Sequence, residues 1–225
     1  MASAKRFDAV VFDLDGTLVD TAPDLAQALN HTLARHGLAT LAPADVRPMI
    51  GDGARAMLRR GLAAAGTELE AARFETLAAE LLAYYWDHVA VRSRPFPGVV
   101  DALDRLAAGG VKCAVCTNKP FGLTERLLRL LQLWPRFQAV LGGDSLPVRK
   151  PDPGHLLGTL DRLQVPPERA VMVGDSANDV NVARGAGVAV VVVSFGYTAV
   201  PAAELGADAV IDHFEGLPQA LARLS

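Results

Sequence analysis

Cysteine is scarce. The 225-residue chain has two, Cys113 and Cys116. Their spacing resembles a redox or zinc pair, yet no second pair exists to complete a zinc site. Both fall inside the strand-like run 111–116. Residues three apart on a strand face opposite sides, so these thiols cannot readily bridge and read as core thiols. Long hydrophobic runs are also missing. The most apolar stretch, 188–193, is far too short to span a bilayer. Met1 to Arg6 lead straight towards the first strand, without the apolar region and cleavage site of a signal peptide. Nor is there an excess of positive charge. A net charge of −3 gives no broad basic field, so any anion must be held by a local site. The five histidines, His31, His36, His88, His155 and His213, share no metal-ligand spacing and read as structural or surface groups. These absences lead to the expectation of a soluble, cytoplasmic protein with no nucleic-acid partner and no membrane partner.

What is present suits a globular chain: 51% of residues are hydrophobic and 21% charged. The length allows one large domain or two unequal ones. Strand-like runs at 9–12, 111–116, 139–141, 170–173, 188–193 and 209–211 alternate with helical segments after residue 98. The predicted fold class is therefore α/β, a Rossmann-like doubly wound parallel sheet with helices on both faces. The block 21–91 is different. Leu25, Leu29 and Leu33 recur every four residues, and Phe74, Leu77, Leu81, Leu82 and Tyr85 follow helical spacing. The block reads as a helical cap inserted after the first strand. Thr21 is the expected hydroxyl N-cap of its first helix, with Pro23 and Asp24 in the first turn. Tyr84, Tyr85 and Trp86 read as cap core. The proline-rich stretch 93–98 returns the chain. The expected boundaries are 1–19 and 93–225 for the α/β core and 20–92 for the cap, with hinges near 19–20 and 93–97.

The first strand ends in Asp13-Leu14-Asp15-Gly16-Thr17. In an extended segment the two acids point to the same side, where they repel unless a cation lies between them. Capping of the following turn is the plainer alternative. Other strand ends and loops carry Thr117-Asn118-Lys119, Arg149-Lys150-Pro151-Asp152-Pro153 and Gly174-Asp175-Ser176-Ala177-Asn178-Asp179. Strand ends of a parallel sheet converge on one edge, so these groups could meet. Together they suit phosphoryl transfer, which needs a nucleophile, a cation, donors for the phosphoryl oxygens and a proton donor for the leaving group. Thr117 and Asn118 supply hydroxyl and amide donors, and Lys150 a positive point charge. Asp175 could join Asp13 around Mg2+, which prefers hard oxygen ligands. Asp13 could then attack phosphorus, while Asp15 moves protons.

The ordered set resembles the motifs of the haloacid-dehalogenase superfamily: Asp13 to Thr17, Thr117-Asn118, Lys150-Pro151, and Gly174-Asp175-Ser176 with Asp179. The resemblance implies Asp13 as nucleophile, Asp15 as general acid/base and Lys150 as the catalytic cation. It implies Mg2+ held by the Asp13 side chain, the Asp15 main-chain carbonyl and Asp175, with Asp179 supporting these ligands or replacing one. The candidate phosphate- and substrate-binding set is Thr117, Asn118, Gly16 and Arg55. Within the superfamily the chain is most similar to the phosphoglycolate phosphatases, through Thr117 to Pro120, Gly142 to Asp144, Lys150 to Pro153, Gly174 to Asp179, Phe195 to Tyr197 and the cap turn Ile50 to Gly53. That implies hydrolysis of a small phosphorylated metabolite, 2-phosphoglycolate, by a monomer or homodimer. The alternatives are a phosphatase for a sugar phosphate or pyrophosphate, a β-phosphoglucomutase-like phosphomutase, and a receiver-like switch module. Lys119 reads as a surface residue. Arg47, Arg55 and Arg59 are either partners for a substrate carboxylate or solvated helix charges.

Overall fold

The apolar run before the two acids forms β1 (Ala9–Phe12), and all four of its residues are buried. The computed structural model describes residues 7–224. Met1 to Arg6, expected to lead into this strand, lie outside the described residues. After β1 comes a two-residue strand, β2 (Val19–Asp20), and then the helices α1 (Ala22–Arg35), α2 (Pro43–Val46), α3 (Ala54–Ala64) and α4 (Ala71–His88). The chain returns through β3 (Arg94–Pro95), which pairs antiparallel with β2, Val19 opposite Pro95 and Asp20 opposite Arg94. Strands and helices then alternate: α5 (Val99–Ala108), β4 (Lys112–Cys116), α6 (Phe121–Leu130), β5 (Ala139–Leu141), α7 (Pro153–Leu163), β6 (Ala170–Gly174), α8 (Ala177–Ala186), β7 (Ala189–Val193), β8 (Ala209–Ile211) and α9 (Leu217–Arg223).

The main sheet has the order β5-β4-β1-β6-β7-β8, and every pairing in it is parallel. β1 lies inside it, between β4 and β6. From β1 the chain builds outward through β4 and β5, then crosses back to β6, β7 and β8. This reversal places the switch point, where ligands of such sheets bind, beside the carboxyl end of β1. The pleat sends alternate side chains to two separate cores. Val10, Phe12, Cys113, Val115, Val171 and Val173 face one, while Val11, Ala114, Cys116 and Met172 face the other. The two cysteines thus lie on opposite faces, buried and unbridged. Burial pushes both thiols up to about 12, which leaves them protonated and inert.

The helical insertion follows its apolar pattern. Leu25, Leu29 and Leu33 of α1 and Phe74, Leu77, Leu81 and Tyr85 of α4 are buried. Among the described residues, no helix is long and apolar enough to cross a membrane.

The first cap differs from expectation. Thr21 stands at the N-cap of α1, but its hydroxyl makes no capping bond and has no partner. Tyr197, from the loop after β7, does the work instead. Its hydroxyl accepts the N–H groups of Thr21 (2.6 Å) and Ala22 (2.9 Å) and donates to Asp20 (2.7 Å). That uses all the hydrogen-bonding capacity of a phenol. Asp24, in the first turn, accepts from the Arg92 and Ser93 N–H groups and the Ser93 hydroxyl. The departing and returning strands of the insertion are thereby clamped together. Tyr197→Phe would strand two buried N–H groups. We expect it to lower unfolding free energy by about 1–3 kcal/mol, read from chemical denaturation; an unchanged midpoint would mean that another acceptor replaces the phenol.

Candidate active site

Asp13 follows β1 directly, and Asp175 follows β6. Because these strands are neighbours in register, Phe12 opposite Val173, the two acids meet at one end of the sheet. Asp179, in the first turn of α8, completes the group. One ligand atom from each of Asp13, Asp175 and Asp179 lies within 4.8 Å of the others, and all three residues are buried. Glycines make this crowding possible. A Cβ on Gly174 would lie 2.2 Å from the Asp179 carboxyl carbon. Gly16 has φ of +83°, and a Cβ there would stand 2.5 Å from Asp175 Oδ2.

Each carboxylate is held differently. Asp13 Oδ1 accepts the Leu14 N–H (2.7 Å) and faces Lys150 Nζ (2.9 Å), and no group of the described residues donates to Oδ2. Asp175 accepts from the Thr17 hydroxyl (3.2 Å) and the Tyr197 N–H (2.7 Å). Asp179 is the most committed. One oxygen takes Lys150 (2.6 Å), and the other takes the Asp175 and Ser176 N–H groups and the Ser176 hydroxyl, in a capping box at the start of α8.

Three acids share one ammonium here. Burial raises the Asp13 carboxyl to about 6; Lys150 opposes the rise and Asp179 adds to it. Burial, then Asp179 and Asp13, lift Asp175 well above the usual carboxylate range. Burial works against the Lys150 charge, but Asp13 and Asp179 outweigh it and hold the amine above its ordinary value. A single ammonium divided between two carboxylates cannot neutralise three. Hard oxygen donors, surplus negative charge and enclosure fit a divalent cation, with Asp13 and Asp175 the acids still able to serve it.

Asp15 faces elsewhere. Both its carboxylate oxygens accept from Lys119 Nζ, at 3.0 and 3.2 Å. Lys119 is only 4% exposed, so its assignment to the surface is overturned. Burial became possible because Asp15 supplies a counter-charge and Tyr85, from α4, accepts a further bond at 2.7 Å. Tyr85 is core as expected, but its hydroxyl also reaches this site. Thr117 and Asn118 lie at the end of β4 and are buried. The Thr117 hydroxyl accepts the Lys119 N–H at 3.3 Å and keeps its own proton for another acceptor. The Asn118 side-chain amide is already spent, donating to the Gly51 and Lys150 carbonyls at 3.1 Å each.

The insertion covers this end of the sheet. Besides the Asn118–Gly51 contact, Asn178 donates to Asp52 at 2.6 Å. Between insertion and sheet lies a cleft lined by Asp13, Asp15, Thr117 and Lys119 on one side and Leu25, Ile50, Met57 and Tyr85 on the other. Its free space is about 20 Å³, room for little more than one water. Arg55 is not part of it, contrary to expectation. Its side chain is half exposed on α3 and pairs with Glu75, while Ala54 and Met57 turn inward instead. Arg47 donates to the Phe195 carbonyl and lies over the Tyr197 ring.

A family model for haloacid dehalogenase-like hydrolases matches residues 10–193. The chain belongs to this family. Among its relatives, a phosphoglycolate phosphatase of Caulobacter vibrioides is 49% identical over 94% of this chain and 89% of its own length. Another, of Agrobacterium fabrum, is 44% identical over 98% of this chain and 95% of its own. The fold superposes on a crystal structure described as a predicted phosphoglycolate phosphatase from Haemophilus somnus. The TM-score is 0.91, with 33% identity, covering 96% of this chain and 99% of that one. As a haloacid dehalogenase-like hydrolase with this buried acid cluster, the protein is a metal-dependent phosphatase of small phosphorylated substrates that acts through an aspartate. A divalent cation should raise its thermal midpoint, because the cation binds the folded cluster and not the open chain. Asp175→Asn should abolish most of that rise; an equal rise in the variant would place the ion elsewhere.

Proposed function

We propose that this phosphatase hydrolyses 2-phosphoglycolate to glycolate and phosphate with Mg2+ as its cation. The relatives named as phosphoglycolate phosphatases, similar over nearly the whole chain, carry this reading.

In the proposed reaction the sheet segments 1–19 and 93–225 carry the chemistry, and residues 20–92 close over it. When bound, Mg2+ would neutralise carboxylate and phosphoryl charge, held by Asp13, Asp175 and the Asp15 carbonyl. No N–H of the described residues donates to that carbonyl, which leaves it free. Asp13 Oδ2 attacks phosphorus; the new Asp13 acyl phosphate forms as the bond to the substrate alcohol breaks. Asp15 passes a proton brought in with the substrate's phosphoryl group to the departing alkoxide, then takes one from the water that hydrolyses the phosphoaspartate and frees Asp13. Lys150 offsets charge on Asp13, and the Thr117 hydroxyl donates to a phosphoryl oxygen. The Asn118 backbone N–H is the donor left there among the described residues, because the Thr117 and Lys119 N–H groups and the Asn118 side-chain NH2 already donate elsewhere. Asp179 holds Lys150 and the start of α8 in place.

Phosphate release across 2-phosphoglycolate, sugar phosphates, nucleotides and pyrophosphate, with and without Mg2+, tests the assignment. We expect the highest kcat/KM for 2-phosphoglycolate, and at least about 1,000-fold loss in Asp13→Asn with the fold retained. Isomerised sugar phosphate without free phosphate would instead identify a mutase. Asp15→Asn should slow alkyl-phosphate hydrolysis by about 100-fold or more. With 4-nitrophenyl phosphate, whose leaving group needs no proton, that variant should give a burst of nitrophenol before a slow steady state. A normal rate on alkyl phosphates would remove Asp15 from the acid/base role.

A further inference from the structure

Two buried lysines stand at this site, and they are not equivalent. Lys150 is taken up by Asp13 and Asp179. Lys119 instead bonds both oxygens of Asp15, at 3.0 and 3.2 Å, and the Tyr85 hydroxyl at 2.7 Å. An ammonium has three N–H donors. Here two of them point at one carboxylate, and the longer bond is the one a second anion can take over. Among the described residues that line the cleft, Lys119 carries the one positive charge. The walls around it are Leu25, Ile50, Met57 and Leu123. They offer no competing counter-charge and keep the local dielectric low, which strengthens any ion pair formed there.

We propose that Lys119, oriented by the Tyr85 hydroxyl, is the receptor for a carboxylate on the alcohol portion of the substrate. The cleft thereby selects phosphomonoesters whose carboxylate is one carbon from the ester oxygen. This rests on the phosphatase reading above, in which Asp15 faces the leaving oxygen. Lys119 Nζ is within hydrogen-bond distance of Asp15, so a single methylene spans from the ester oxygen to the ammonium. Without substrate, Asp15 serves as the counter-ion. With it, the incoming carboxylate replaces the longer Asp15 bond, and the ammonium bridges substrate and Asp15. A neutral alcohol leaves Lys119 paired with Asp15 alone. With about 20 Å³ of free space, the insertion must move away to admit any of these esters. Tyr85 comes from α4, so the receptor is complete only when the insertion sits on the sheet edge.

The test compares 2-phosphoglycolate with ethyl phosphate, a similar ester without the carboxylate, in the wild type and in Lys119→Met. The wild type should prefer the carboxylated ester. The variant should lose roughly 10- to 100-fold of that preference in kcat/KM, chiefly through KM. Should Lys119→Met fail to fold, Tyr85→Phe must lower the preference in the same direction by roughly threefold or more. An equal fall for both esters, or an unchanged preference, would overturn the proposal and leave Lys119 as a positioning residue for Asp15. Comparable wild-type turnover of the two esters would also overturn it while leaving the phosphatase reading intact. If the wild type released no phosphate from any ester, the phosphatase reading would fail instead. Calorimetric binding of the two esters to wild type and Lys119→Met then decides on Lys119: selective loss of 2-phosphoglycolate affinity supports the receptor, and equal loss or no loss overturns it.

Discussion

Three carboxylates share a buried pocket with one ammonium, and much of the surrounding structure answers to that imbalance. Like charges this close, away from water, are tolerated only when each is hydrogen-bonded and when a cation is on hand. Asp179 closes the start of α8 and fixes Lys150. Asp175 is held by Thr17 and by the backbone of Tyr197. Gly16 and Gly174 stand where any side chain would collide with these acids. Of the three, Asp13 alone keeps an oxygen with no hydrogen-bond partner among the described residues, which suits the attacking role proposed for it.

The same residues tie the insertion to the chemistry. Tyr197 holds Asp175 with its backbone N–H and the root of α1 with its hydroxyl, so one residue joins the acid cluster to the start of the insertion. Asp24, in the first turn of α1, draws the returning chain at Ser93 against the start of the insertion. At the far side Asp52 meets Asn178 in the first turn of α8, and Gly51 meets Asn118 in the loop after β4, so that an insertion loop touches both. Lys119 and Tyr85 add a buried bridge between the two parts at the cleft itself. Such a bridge has no stability to offer unless its ammonium stays paired, so it favours closure when acids are present to receive it.

Some features were legible from the chain because they depend on neighbours in sequence. Short β-branched runs ending in acids located β1 and β6 and the residues just after them. The alternation of strands and helices led to the parallel sheet, and pleat geometry alone separated Cys113 from Cys116. Regular spacing of Leu25, Leu29 and Leu33 identified α1. Other features were not legible. Thr21 has the residue type of an N-cap, yet a phenol from 176 positions away took that place. Lys119 looked like a surface charge because nothing near it in sequence announces a counter-ion. Its position between Asn118 and Pro120, at the end of a central strand, was the one available hint. Arg55 was a reasonable partner for an anionic substrate, but α3 turned it towards Glu75 and solvent.

Sequence by itself therefore determined the sheet, the order of its strands' chemical endings and the pairing of Asp13 with Asp175, since each follows from local pattern and from the convergence of parallel strand ends. Tertiary structure alone decided which cations face those acids and which face water. It also decided how the insertion is rooted and what lines the cleft. Those outcomes hinge on how α1, α3 and α4 pack over the sheet edge, and the burial and pairing of a charged side chain are set by that packing rather than by the residues on either side of it.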